Sequence, residues 1–168
     1  MSERWKRLAT PLYLAASAAI VDQLSKFAVR SFLERDEVIA VLPCFNLTFR
    51  LNPGVAFSML DNINYGHYIL AFVALLVILF IISLFWRNKA PKSKVGVAAL
   101  GLIMGGAFGN MVDRLLPPYY SVVDFLDFYW QNYHWPAFNL ADCCITVSAL
   151  LLLVVCWRED GPGKKERA

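Results

Sequence analysis

The sequence predicts an all-α membrane protein of four spanning helices carrying a small extracytoplasmic sheet, and three observations support this. Apolar residues make up 58% of the 168 and charged residues only 17%, against roughly 45–50% and 25% in soluble chains. Four segments reach the length of about 20 largely apolar residues that a bilayer crossing needs. The basic residues gather in every second interval between those segments, as the positive-inside rule requires of cytoplasmic connections. One membrane domain over 1–168 is therefore expected. Its spans fall at about 8–29, 65–86, 95–115 and 137–157, its outer loops at 31–64 and 116–136, and its polar tail at 158–168.

The first segment begins like a secretory leader, with Arg4, Lys6 and Arg7 ahead of an apolar stretch and small residues from Ala15 to Ala19. Asp22 and Lys26 argue for a retained span: at i and i+4 they pair on one helix face, and the apolar pattern runs on past them. The first outer loop holds Val38-Ile-Ala-Val-Leu-Pro and Phe45-Asn-Leu-Thr-Phe-Arg-Leu, β-prone runs that end at Pro43 and Pro53 and predict short strands. The second span, Tyr65 to Trp86, is free of acidic and basic side chains. The third carries Gly101, Gly105 and Gly109 at intervals of four, a stripe that lets another helix approach closely. The loop after it holds Tyr119, Tyr120, Tyr129, Trp130, Tyr133 and Trp135, a composition suited to the headgroup zone and read as an interfacial loop. The fourth span runs from Ala137 to Trp157.

Arg87, Lys89, Lys92 and Lys94 separate the second and third spans, and Arg158, Lys164, Lys165 and Arg167 follow the fourth. Both termini are expected in the cytoplasm, which leaves the two outer loops for soluble chemistry. The basic residues form no continuous patch, so nucleic acid is not an expected partner. Cys44, Cys143, Cys144 and Cys156 have neither C-x-x-C spacing nor a neighbouring His and read as small buried hydrophobes. His67 and His134 are isolated. Ser58, Ser121 and Ser148 lack the partners of a serine triad, and no HExxH motif occurs. No metal or cofactor is expected.

Ionisable residues inside spans carry a functional hypothesis by default, because they are costly in lipid. The third span ends Gly106-Ala-Phe-Gly-Asn-Met-Val-Asp-Arg114, and the fourth begins Phe138-Asn-Leu-Ala-Asp142; in the expected orientation these polar ends meet on the outer side. Asp142 would lie about 8 Å below the start of its helix, and Asp124, in the loop between, could fold back to the same depth. Two converging carboxylates share one proton, so one can activate water while the other protonates a carbonyl oxygen. Other readings stand beside this one. Asp142 could serve the helix dipole, Asp124 could be solvated, and Asp127 is an equally acidic rival. Asp113 beside Arg114 reads as half of a structural ion pair, and Asp22 with Lys26 as another. A cation path through Asp22, Asp113 and Asp142, or an inactive binding scaffold, are the competing function classes.

Five segments together resemble the bacterial lipoprotein signal peptidases, or signal peptidase II: Asp22-Gln-Leu-Ser-Lys26, Asn52-Pro-Gly-Val-Ala-Phe57, Gly109-Asn-Met-Val-Asp-Arg114, Val122-Val-Asp-Phe125 and Phe138-Asn-Leu-Ala-Asp142. The resemblance implies that Asp124, in preference to Asp127, and Asp142 are the catalytic pair. It implies that Asn52, Gly54, Asn110, Arg114 and Asn139 contact substrate or support the dyad, while Asp22, Lys26 and Asp113 are structural. It further implies an aspartyl endopeptidase of the bacterial inner membrane that acts on diacylglyceryl-modified prolipoproteins just before the lipidated cysteine. A monomer among membrane lipid is the default expectation.

Overall fold

The computed structural model describes residues 3–54 and 65–160. In chain order the elements are α1 (Glu3–Phe32), β1 (Val38–Leu42), β2 (Phe45–Asn52), α2 (Gly66–Trp86), α3 (Lys94–Leu115), β3 (Val122–Trp130), β4 (Tyr133–His134) and α4 (Leu140–Asp160). All four helices are long and apolar enough to cross a bilayer. Their outward faces carry exposed Phe72, Leu79, Phe80, Leu153 and Trp157, the surface that a lipid solvent accepts and water does not.

Helix α3 is central. Just over half of its most apolar stretch, 56%, is buried, against 17% for α2 and for α4. The glycine stripe is the cause. A Cβ at Gly101 would lie 2.7 Å from the Pro11 carbonyl oxygen, and one at Gly105 would lie 2.5 Å from that of Ala15, so α1 packs on α3 backbone to backbone. Gly106 does the same for α4, where a Cβ would meet the Ala141 carbonyl oxygen at 2.5 Å. Away from the sheet, Leu8, Ile81, Phe85, Leu100 and Met104 form the apolar core of the bundle.

The fold class needs one correction. Residues 122–134, expected as an interfacial loop, are strands, and they complete a four-stranded antiparallel sheet of order β1-β2-β3-β4. The run Val122-Val-Asp-Phe-Leu-Asp-Phe-Tyr-Trp130 is β-branched and aromatic, and it covers the otherwise open edge of β2. Its aromatic content suits a strand as well as it suits a headgroup zone. Only the hairpin end, with Trp130, Tyr133 and Trp135, is widely exposed. Val29, Phe49, Val123 and Phe125 join the sheet to the helices in a second apolar cluster.

Two further expectations change. Helix α4 begins at Leu140 and not at 137, so Asp142 sits in its first turn and nearer the surface than expected. Cys44 and Cys156 are exposed, and Cys143 and Cys144 are half-buried, so none of the four is a buried core hydrophobe. The tail from 161 to 168 and the Val55-Ala-Phe57 part of the outer-loop motif, with Ser58, lie outside the described residues.

Candidate active site

Strand β3 delivers Asp124 to the end of the bundle. The pleat turns Val123 and Phe125 into the apolar cluster and sends Asp124 to the opposite face. A short bridge then fixes the start of α4 beside it. Phe125 N–H and Leu126 N–H donate to the Phe138 carbonyl at 3.0 and 2.9 Å, and Phe138 N–H donates back to Leu126 at 3.1 Å. Asn139, the next residue, is thereby held against Asp124.

Asn139 caps α4 and contacts both carboxylates. Its Oδ1 accepts from Asp142 N–H at 3.0 Å, and Asp142 Oδ2 accepts from Asn139 N–H at 3.2 Å, a reciprocal capping box. Because a backbone N–H can only donate, Asn139 Oδ1 must face it, and its Nδ2 must face Asp124, to which it donates at 2.7 Å. Asn52, at the end of β2, donates to the other oxygen of Asp124 at 2.9 Å. Asn52 Oδ1 in turn accepts from Gly54 N–H at 2.8 Å. Gly54 has φ of +115°, a conformation that favours glycine, and a Cβ there would run into Leu70.

A second amide is fixed by the same logic. Lys26, fully buried, donates to Asn110 Oδ1 at 3.0 Å, which leaves Asn110 Nδ2 to donate to Asp142 Oδ1 at 2.8 Å. An ammonium has no acceptor, so this amide cannot flip without losing both bonds. Lys26 also bridges Asp22 and Asp113, each at 2.8 Å. Asp22 Oδ1 accepts from Ala141 N–H in the first turn of α4 at 3.0 Å, so this carboxylate ties α1 to α4 while Lys26 ties α1 to α3. The Asp22–Lys26 pairing matches the expectation. Asp113 does not pair with Arg114 as expected but with Lys26, because it faces α1 while Arg114 folds back along its own helix. Arg114 Nη1 donates to the Asn110 carbonyl at 3.0 Å, and its buried Nε has no partner among the described residues.

Asp124 is 3% exposed. Burial above all, with the neighbouring Asp142 charge adding to it, pushes its carboxyl up to about 6 although Asn52 and Asn139 donate to it. Asp127, three residues along the strand, moves the other way. Burial raises it, but the Asn46 amide at 2.9 Å, His134 at 2.9 Å and the Arg50 charge together hold it below the usual carboxylate range. His134 is therefore not isolated. Its ring partners Asp127 and stacks on Tyr129 at 5.2 Å.

The structure thus brings Asp124, Asp142, Asn52, Asn110, Arg114 and Asn139 to one place, with the Asp22–Lys26–Asp113 group directly beneath. Asp127 belongs to a separate cluster with Asn46 and His134. The sequence reading missed Gln23, whose Nε2 donates to Asp113 Oδ1 at 3.0 Å and to the Gly109 carbonyl at 3.1 Å, closing the network. Its place next to Asp22, on a helix crossing α3 at a glycine, was the available signal. Four carboxylates, Asp22, Asp113, Asp124 and Asp142, gather here around two cations, Lys26 and Arg114. Among the described residues no cluster has the make-up of a metal site.

The chain is similar to known proteins in both sequence and fold. The family model for signal peptidase (SPase) II matches residues 14–158. A lipoprotein signal peptidase of Alteromonas mediterranea is 43% identical over 156 residues, covering 92% of this chain and 84% of its own. One of Acinetobacter baylyi is 42% identical over 145 residues, covering 85% and 79%. Two solved structures described as bacterial membrane enzymes share the fold. The first has a TM-score of 0.79 at 24% identity over 95% of this chain and 94% of the other. The second has a TM-score of 0.76 at 25% identity over 88% and 92%.

Proposed function

This chain belongs to the signal peptidase II family, and from that premise we propose that it removes the signal peptide from diacylglyceryl-modified prolipoproteins as an aspartyl endopeptidase. The observation that carries the reading is that both carboxylates meet Asn139, Asp124 accepting from its Nδ2 and Asp142 from its backbone N–H, with Asn52 donating to Asp124 and Asn110 to Asp142. One member of the pair, ionised, takes a proton from water as the water attacks the scissile carbonyl carbon. The other, protonated, donates to the carbonyl oxygen, and the proton balance is restored when the amine leaves. No metal and no covalent enzyme intermediate enters.

The remaining residues have roles consistent with this. Arg114 Nε offers a donor beside the dyad, the Asn52–Gly54 corner holds Asp124 in place, and β2 and β3 form a platform on which an extended peptide can lie. The exposed aromatic hairpin supplies apolar surface for the diacylglyceryl chains at the level of the headgroups. In the orientation that the basic residues favour, the site opens on the extracytoplasmic face of the bacterial inner membrane and both termini are cytoplasmic. The protein acts as a monomer.

The test of substrate class is cleavage by purified protein of a diacylglyceryl-modified prolipoprotein and its unmodified counterpart, with product masses measured. Cleavage of the modified form alone, at the bond before the modified cysteine, is expected. Equal cleavage of both forms, or cleavage at another bond, would refute the proposed specificity.

A further inference from the structure

At the opposite end of the bundle from the two carboxylates lies a cavity of about 430 Å³ that the proposed reaction does not use. Arg7 and Thr10 of α1 form one side, Asn88 and Lys92 of the α2–α3 turn the other, and Phe85 and Val97 its floor. The turn is firmly shaped. Asn88 has φ of 55°, a left-handed conformation that asparagine tolerates, and Lys89 N–H and Ala90 N–H both donate back to the Leu84 carbonyl at 2.8 and 3.1 Å. Arg7 Nη1 holds the turn against α1 by donating to Asn88 Oδ1 at 3.0 Å. Pro91 packs so closely on the start of α3 that a Cβ at Gly96 would approach it to 2.5 Å.

The cavity's chemistry is one-sided. Among the described residues, both charged residues that line it are cations and no carboxylate lines it, and the N-terminal end of α3 at Ser93–Lys94 adds the positive end of a helix dipole. Its floor is apolar and it sits among spanning helices at their ends. Trp5 and Trp86 pack edge to face at 6.2 Å close by, a pairing that marks headgroup depth. A free anion would gain from the cations and nothing from the apolar walls, whereas a phospholipid uses both. We propose that this cavity binds the headgroup of an anionic phospholipid, with the phosphate between Arg7 and Lys92 and the acyl chains running along the exposed apolar faces of α1 and α2. The site lies on the face assigned above to the cytoplasm, where basic pockets between spanning helices meet anionic lipid.

The experiment is native mass spectrometry of the full-length protein in detergent with phosphatidylglycerol or phosphatidylcholine of identical chains, and with inorganic phosphate as competitor. Wild type is expected to retain phosphatidylglycerol in preference. Arg7→Gln with Lys92→Gln should weaken that binding roughly ten- to thirty-fold, at about 1 kcal/mol for each cation. Thr10→Trp, which fills the cavity and keeps every charge, should abolish the preference. Lys94→Gln with Arg158→Gln removes two cations from the same end without touching the lining and should leave it intact. Equal retention of both lipids, an equal loss in that last variant, a preference that survives Thr10→Trp, or displacement by millimolar phosphate would each overturn the proposal. None of these readouts depends on peptidase activity.

Discussion

Replacing Asp124 with asparagine is expected to make the protein relatively more stable as pH rises, while removing cleavage. The Asp124 carboxyl is raised, chiefly by burial, from the usual 3.8 to about 6. A carboxyl with a higher folded than unfolded pKa binds its proton more tightly in the native state. Its favourable contribution is complete below about 3.8 and is lost as pH climbs through about 6. The interval between the two values corresponds to about 3 kcal/mol. Asparagine does not titrate. It does turn an NH₂ group toward Asn52 or Asn139, both of which already donate to that position, at a pH-independent cost of about 1–3 kcal/mol. The slope is therefore the informative quantity, not the offset. Tryptophan fluorescence, with five tryptophans in the chain, can follow unfolding in detergent at a series of pH values. The unfolding free energy of Asp124→Asn minus that of wild type should rise by about 3 kcal/mol through this interval and then level off. A difference that stays flat would refute the claim that a buried, proton-holding carboxyl occupies the site.

Lys26→Met leaves Asp22 and Asp113 buried without their cation and should cost about 3–5 kcal/mol, measured by the same unfolding assay; a loss below about 1 kcal/mol would mean the triad is not a joint between α1 and α3. Gly105→Leu must push α1 away from α3 at the Ala15 carbonyl and should destabilise by at least about 2 kcal/mol, with poor recovery of folded protein from detergent; normal recovery and stability would contradict the backbone-to-backbone packing. Asp127→Ala should retain cleavage within about threefold of wild type while lowering stability at neutral pH by about 1–3 kcal/mol, because the Asn46 amide loses its partner. Since Asp127 is held below the usual range, that stabilisation is present at neutral pH and fades as pH falls through its folded pKa. Loss of cleavage in this variant would reopen the choice between Asp127 and Asp124.

The spans were legible because bilayer thickness sets a length and composition that few other constraints imitate, and Gly101, Gly105 and Gly109 announced through spacing the close approach of another helix to α3, though not that the helix is α1. The Asp22–Lys26 pair was legible because i and i+4 share a helix face. Strand β3 was not, since Phe125, Phe128, Tyr129 and Trp130 fit both a strand and an interfacial loop, and only pairing with β2 decides between them. The partner of Asp113 was hidden for a related reason: adjacency to Arg114 in sequence says nothing about which helix each side chain faces. Choosing Asp124 over Asp127 rested on family resemblance, because nothing local distinguishes two aspartates three residues apart. The structure separates them through partners distant in sequence, Asn52 and Asn139 for one, Asn46 and His134 for the other.

The measurement that tests the central claim most directly is turnover of a diacylglyceryl-modified prolipoprotein by wild type, Asp124→Asn and Asp142→Asn, each first checked to be folded by its cooperative unfolding. Loss of cleavage in both folded variants, with the product formed readily by wild type, is the predicted result. Substantial cleavage by either folded variant would contradict a catalytic pair formed by Asp124 and Asp142.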